Sequence, residues 1–202
     1  MPRDMRAAYH SEEFALLEVV SKNPVEFFDI WFKEAQNRDA TFSWEEANAI
    51  ALSTVSKDGK TSSRMLLLKS YGREGFKFYT NYDSKKGNDL KHNPHGSLLY
   101  YIPRLHRQVR IEGKIEKLSK EESDFYWNKR PILSQVGSAI SQQSRVVSSR
   151  KELMDEFDVL VKKYVKTNTP VPRPSHWGGY ILKPEEFEFW HGNDNRVHDR
   201  FR

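Results

Sequence analysis

From Arg107 to Glu116 the chain alternates without a break: Val109, Ile111 and Ile115 fall on one parity, and Gln108, Arg110, Glu112, Lys114 and Glu116 on the other. A helix cannot sort residues this way, because its period of about 3.6 would mix the two sets within one turn. A strand with one face on a core and the other in solvent sorts them as observed. Such a strand needs partners, and the flanking sequence supplies them. Ala49–Ser56 reads as a strand, Asp58-Gly59 as a hairpin turn and Ser62–Lys69 as the returning strand. A short turn at Gly72–Gly75 leads into Phe76–Asn81, and Ser97–Ile102 is a further apolar-aromatic run. Towards the C-terminus, Gly179–Leu182 and Phe187–Trp190 read as two more strands.

Helix signals sit outside this run. Asn23-Pro24-Val25-Glu26 offers an N-cap, a first-turn proline and an N3 acid, opening a helix whose Phe28, Trp31, Phe32 and Ala35 share one stripe. Ser84–His92 is short and helix-like, stopped by Asn93-Pro94. Ser119-Lys120-Glu121-Glu122 and Ser149-Arg150-Lys151-Glu152 are capping boxes for helices reaching Lys129 and Val165. Pro131–Ser148, rich in Ser and Gln, carries no assigned element, and the four prolines of Thr167–Ser175 predict a stiff connector. Strands do not alternate with helices, and there is no glycine-rich phosphate loop, so a doubly wound parallel sheet fits poorly. The expected fold is mainly β with peripheral helices: a small antiparallel barrel within one domain spanning 1–202, the N-terminal 1–46 being helical.

The 202 residues contain no cysteine, which excludes disulfides, thiolate metal sites, cysteine nucleophiles and iron–sulfur clusters. Redox chemistry would need a bound cofactor, and no metal site is expected. The net charge of +5 favours anionic partners without choosing among them. No run of five like charges occurs, and no apolar stretch could span a bilayer, so neither nucleic acid nor membrane is an expected partner. The expected location is the cytoplasm.

Several clusters could carry chemistry. Arg64 and Lys69 flank an apolar run, but alternation puts them on opposite faces unless the strand bends, bulges or ends between them. Thr80–Gly87 joins a strand end to a helix start with Ser84, Lys85 and Lys86, either a phosphate cradle or an ordinary capped helix. Arg104, His106, Arg107 and Arg110 form the densest basic patch, either a nucleic-acid surface or a solvated strand edge. Tyr126 and Arg130 share a helix face, with Ser134 four residues on: a phosphate claw, or core packing with a helix-terminal charge. The segment Trp190–Arg200, WHGNDNRVHDR, packs two His, two Arg, two Asn and two Asp into eleven residues, a density that suggests a site.

In order along the chain, RMLLLK, YTNYDSKKG, RQVRIEG, FYWNKRPILSQ, SQQS at Ser141–Ser144, SHWGGY at Ser175–Tyr180 and EFWHGNDNRVHDR resemble the pyridoxine 5'-phosphate oxidase family over residues 47–202. The resemblance implies an FMN-binding split barrel of Greek-key-like type, acting as a homodimer with FMN at the subunit interface. It implies FMN contacts from Arg64, Met65, Leu66, Leu67, Tyr79, Thr80, Lys85, Lys86, Gln108, Gln143, Ser144, Trp190 and Arg200. For the substrate phosphate it implies Lys69, Tyr126, Arg130 and Ser134, and for the pyridine ring Arg196, Val197 and His198. Arg196 and His198 would carry positioning and proton handling in catalysis. The implied reaction oxidises pyridoxine 5'-phosphate or pyridoxamine 5'-phosphate to pyridoxal 5'-phosphate, with O2 reduced to H2O2, in vitamin B6 metabolism. The sequence ends at Arg202, where members resembling it continue through a further strand and a tail. The alternative expectation is therefore a flavin or B6-phosphate binding protein without turnover.

Overall fold

The computed structural model describes residues 22–36, 46–167, 169–193 and 197–202. Most of the expected N-terminal helical segment lies outside these residues, but the helix announced by Asn23 is present as α1, Pro24–Gln36. The Asn23 side chain accepts from the Val25 amide at 3.0 Å, satisfying one of the donors a helix start leaves over.

Among the described residues, eight strands form one antiparallel sheet: β1 Ala49–Val55, β2 Thr61–Leu67, β3 Ser70–Gly72, β4 Gly75–Asn81, β5 His95–Ile102, β6 Arg107–Lys117, β7 Trp177–His191 and β8 Asp199–Phe201. Their order is β2-β1-β5-β6-β7-β4-β3, with β8 also on β7. Strand β7 is long enough to serve three partners. From Tyr180 to His191 it runs along β6, while its first residues pair with β4 and its last with β8. The curled sheet is a split-barrel arrangement, as the sequence leads one to expect.

The predicted alternation in β6 is observed. Val109, Ile111 and Ile115 are buried, and Gln108, Arg110 and Glu112 face outward. The concave face is filled by α1, whose Phe28 meets Phe76 edge-on at 5.0 Å and Tyr71 at 4.9 Å. Each such ring, fully removed from water, contributes about 2–3 kcal/mol by transfer alone.

Two expectations need correction. The two C-terminal strands are one. Pro184 lies opposite Gly113, where the β6–β7 register shifts by one extra residue of β7, so the amide that proline lacks falls at a bulge. A Cβ on Gly113 would lie 2.0 Å from the Lys183 carbonyl oxygen, so the close approach requires glycine. The second correction is an unanticipated helix. Besides α2 Lys85–His92, α3 Lys120–Lys129 and the later α5 Arg150–Tyr164, the Ser/Gln-rich segment forms α4, Ile132–Ile140. Its Ile132, Val136 and Ile140 fall at helical spacing, and buried Gln135 donates to the Trp127 carbonyl at 2.7 Å. Thus α4 completes the end of α3. Trp127, Val136, Val171 and Trp177 make a second, smaller core there.

Candidate active site

A cavity of about 860 Å3 opens between β2, β4, the start of α2, the α3–α4 junction and the 141–144 loop. It collects cations from three separate stretches of chain. Strand β2 supplies Arg64, whose guanidinium donates to the Leu52 carbonyl at 2.9 Å, Thr54 Oγ1 at 2.8 Å and Ser62 Oγ at 2.7 Å. Burial lowers its pKa, and Asp89 partly opposes that fall. Strand β2 ends at Leu67, so Lys69 escapes the alternation and lines the same cavity as Arg64. The parity conflict is resolved by the strand ending.

Helix α2 is capped by Ser84, whose Oγ accepts from the Gly87 amide. Its first residues, Lys85 and Lys86, reach the cavity. Lys86 is only 7% exposed and donates to Ser84 Oγ at 3.1 Å and Gln143 Oε1 at 2.7 Å. Burial, and then the charge of Arg64, pull its pKa down to about 8. An ammonium in that position is short of counter-charge, and a phosphate would supply it.

The opposite wall is aromatic. Tyr79 stacks on Tyr126 with ring centres 3.9 Å apart and on Trp177 at 5.6 Å. The Arg130 guanidinium lies 4.6 Å from the Trp177 ring centre and donates to Ser138 Oγ at 2.9 Å. Ser134 lies nearby on α4. Fourteen of the residues singled out from the sequence therefore line one cavity: Arg64, Met65, Leu66, Leu67, Lys69, Tyr79, Thr80, Lys85, Lys86, Tyr126, Arg130, Ser134, Gln143 and Ser144. Sequence reasoning gave no role to Ser62, Asn81, Lys129, Ser138 or Trp177, which line it too. Ser62 shares the strand face of Arg64 at a spacing of two, a readable signal, whereas Ser138 follows Ser134 by one helical turn of the unforeseen α4.

Gln108, Trp190, Arg200, Val197 and His198 are not part of that lining. Gln108, Trp190 and Arg200 are cross-strand neighbours on β6, β7 and β8, with Tyr101 of β5 next in the row. Their parity is opposite to that of Val109 and Phe189, so the row stands on the outer face of the sheet. The His198 ring lies 4.9 Å from that of Trp190, and its Nδ1 accepts from the Asn193 amide at 3.0 Å, which leaves the proton of a neutral ring on Nε2. Arg196 is outside the described residues. His191 of the same segment is buried, and burial followed by Arg107 pushes its pKa down, so the two histidines occupy unlike surroundings.

The basic patch is consumed by internal partners. Arg104 donates to the Glu34 carbonyl at 3.0 Å, Arg107 pairs with the Glu34 carboxylate, and Arg110 pairs with Glu112 at 2.9 Å and Glu188 at 3.3 Å. Two of the three arginine charges are thus offset by carboxylates, which weakens the patch as an electrostatic track for nucleic acid.

Comparison with known proteins places this geometry. The pattern described as pyridoxamine 5'-phosphate oxidase matches residues 38–163. The chain belongs to that family. Residues 177–202 match the region described as the pyridoxine 5'-phosphate oxidase C-terminal dimerisation region. The pyridoxine/pyridoxamine 5'-phosphate oxidase of Salinibacter ruber is 46% identical over 199 residues, covering 98% of this chain and 90% of that protein. The pyridoxine-5'-phosphate oxidase of Bos taurus is 44% identical over 198 residues, covering 97% of this chain and 74% of that one. Among solved structures, PhzG from Burkholderia lata 383, in complex with tetrahydrophenazine-1-carboxylic acid, superposes with a TM-score of 0.84 at 28% identity, covering 96% of this chain and 92% of that chain.

Proposed function

We propose that the protein is an FMN-dependent oxidase that converts pyridoxine 5'-phosphate or pyridoxamine 5'-phosphate to pyridoxal 5'-phosphate, reducing O2 to H2O2. The observation that carries this reading is the presence of two phosphate-type clusters in one cavity: Arg64, Lys85 and Lys86 on β2 and α2, and Lys69, Tyr126, Arg130 and Ser134 beside α3 and α4. One anion would not need both. A phosphorylated cofactor together with a phosphorylated substrate would, and about 860 Å3 lies towards the upper end of the range for small-molecule sites.

The residues suit FMN. Arg64, Lys85 and Lys86 would hold its phosphate, with Thr80, Gln143 and Ser144 as polar partners and Met65–Leu67 as an apolar edge for the ring system. When bound, FMN supplies the hydride acceptor and passes two electrons to O2. The alcohol substrate gives aldehyde and H2O2, while the amine also consumes one water and releases ammonia.

The remaining residues would come from a second copy. Gln108, Trp190 and Arg200 stand on the outer face, the last two within a stretch similar to a dimerisation region and Gln108 paired beside them. In a homodimer that row would face the partner's cavity, with FMN at the interface. Gln108, Trp190 and Arg200 would then meet the flavin rim, and Arg196, Val197 and His198 the pyridine ring. In this arrangement Arg196 and His198 position the substrate C4' carbon and manage its proton.

The test is the visible spectrum of the protein with added FMN, followed by aldehyde formation from pyridoxine 5'-phosphate under air. A flavin-coloured protein that produces aldehyde supports the reading. A coloured protein that produces none is a binding protein, and a protein that never takes up FMN refutes both.

A further inference from the structure

We propose that Asp89 is a positioning residue for the phosphate end of the cavity: its buried carboxylate holds Arg64 and Lys85 in place and thereby sets the preference for phosphorylated over unphosphorylated flavin. The inference rests on the reading that the FMN phosphate sits at Arg64, Lys85 and Lys86.

Asp89 does not line the cavity. It lies behind it on α2, 5% exposed, one helical turn after Lys85. Its Oδ2 accepts from Thr54 Oγ1 at 2.7 Å, lies 3.0 Å from Lys85 Nζ and 3.5 Å from Ser62 Oγ, and is 4.0 Å from Arg64 Nη2. Its Oδ1 is 3.2 Å from the same Lys85 ammonium.

The hydroxyl directions follow from proton counting. Guanidinium has donors only, so Thr54 Oγ1 and Ser62 Oγ must accept from Arg64, at 2.8 and 2.7 Å. Each hydroxyl then has its one proton left to give, and the carboxylate stands where both can give it. Arg64 is thus tied to Asp89 through two hydroxyl bridges, and Lys85 by a direct ion pair. Three of the five guanidinium N–H groups are committed to the protein by this arrangement and the Leu52 carbonyl, which fixes the plane in which the others meet a ligand.

Charge gives a second reason for the carboxylate. Arg64, Lys85 and Lys86 converge on one end of the cavity, and without an anion they would repel one another before any phosphate arrived. Asp89 lowers that repulsion from the protein side, leaving the cavity side for the ligand. Preorganised donors lose less on binding than donors that must be gathered.

The test compares dissociation constants of FMN and riboflavin, the same flavin without its phosphate, for the apoprotein and Asp89→Asn, read by flavin fluorescence with apoprotein melting curves alongside. The unaltered protein should prefer FMN by about 100-fold or more, as expected when charged hydrogen bonds hold the phosphate. Asp89→Asn should reduce that preference about 10-fold while leaving the riboflavin constant within about 3-fold. Thr54→Val, which removes one bridge and keeps the carboxylate, should reduce it by a smaller factor and decides the matter if Asp89→Asn does not fold. An undiminished preference in the substituted proteins overturns the role of Asp89, and an increased one makes Asp89 a repelling anion instead. If the unaltered protein itself fails to distinguish the two flavins, the phosphate assignment fails first.

Discussion

Replacing Lys86 with Met should make the apoprotein more stable and its cofactor binding weaker, two effects of opposite sign from one side chain. Lys86 is 7% exposed, and its pKa falls from 10.5 to about 8, mainly through burial and then through Arg64. At about 1.4 kcal/mol for each tenfold change in protonation, the charged form costs the folded chain about 3 kcal/mol at neutral pH. Met keeps the length of the side chain and removes the charge. It also loses the hydrogen bonds to Ser84 and Gln143, worth about 1 kcal/mol each. The net gain of about 1–2 kcal/mol would raise the apoprotein melting temperature by about 2–8 °C for a chain of this length. The pH dependence has a definite sign. Between pH 8 and 10.5 the unfolded chain holds the Lys86 proton more tightly than the folded one, so the stability of the unaltered protein rises across that window. The advantage of Met is therefore full below pH 8 and fades towards pH 10.5. Melting curves at pH 7 and 9.5 with FMN titrations at pH 7 read all of this, the FMN affinity falling about 10-fold or more. A lower melting temperature with unchanged FMN affinity would refute both the buried charge and its role.

Three further outcomes follow from the packing and the site. Arg130→Met removes the cation held over Trp177 and should raise KM for the phosphorylated substrate about 30-fold or more, with the FMN dissociation constant nearly unchanged, as steady-state kinetics and flavin titration would show. Gly179→Ala would place a Cβ 2.8 Å from the Tyr79 ring and 2.5 Å from Leu118, so near-UV circular dichroism should report a disturbed Tyr79–Tyr126 stack and stability should fall by about 1–3 kcal/mol in denaturant titrations. Phe28→Ala empties a ring position touching Phe32, Tyr71, Phe76 and Tyr100 and should cost about 3–5 kcal/mol, measured the same way, because α1 fills the barrel rather than decorating it.

The legible parts of the fold were those where one physical demand dominates. Strand β6 separates water from core residue by residue, so its alternation survives in the sequence. The Ser119 and Ser149 capping boxes announce α3 and α5 because helix starts must satisfy amides locally, and both serines accept from the expected glutamate amides. Helix α4 was hidden because no side chain caps its start at Pro131, and because the partners of Gln135 are carbonyls supplied by the end of α3. The continuity of β7 through Pro184 is not legible because a proline in a strand is tolerated only at an edge or a bulge, and the extra residue of this bulge, Glu185, shows only once β7 is paired with β6. For the site, the cations and hydroxyls stand out as residue types, but their convergence on one cavity is tertiary. Asp89 gave no signal because its role lies in what stands behind Arg64. In WHGNDNRVHDR the sequence does not distinguish His191, inside the protein, from His198 beside Trp190.

The most direct test is a single anaerobic turnover. Protein loaded with FMN is mixed without oxygen with pyridoxamine 5'-phosphate, and flavin absorbance and aldehyde are followed together before air is admitted. The account predicts bleaching of the flavin with one aldehyde formed per flavin, then return of the colour with one H2O2 per flavin on exposure to air. Flavin that stays oxidised while the substrate is demonstrably bound would contradict it.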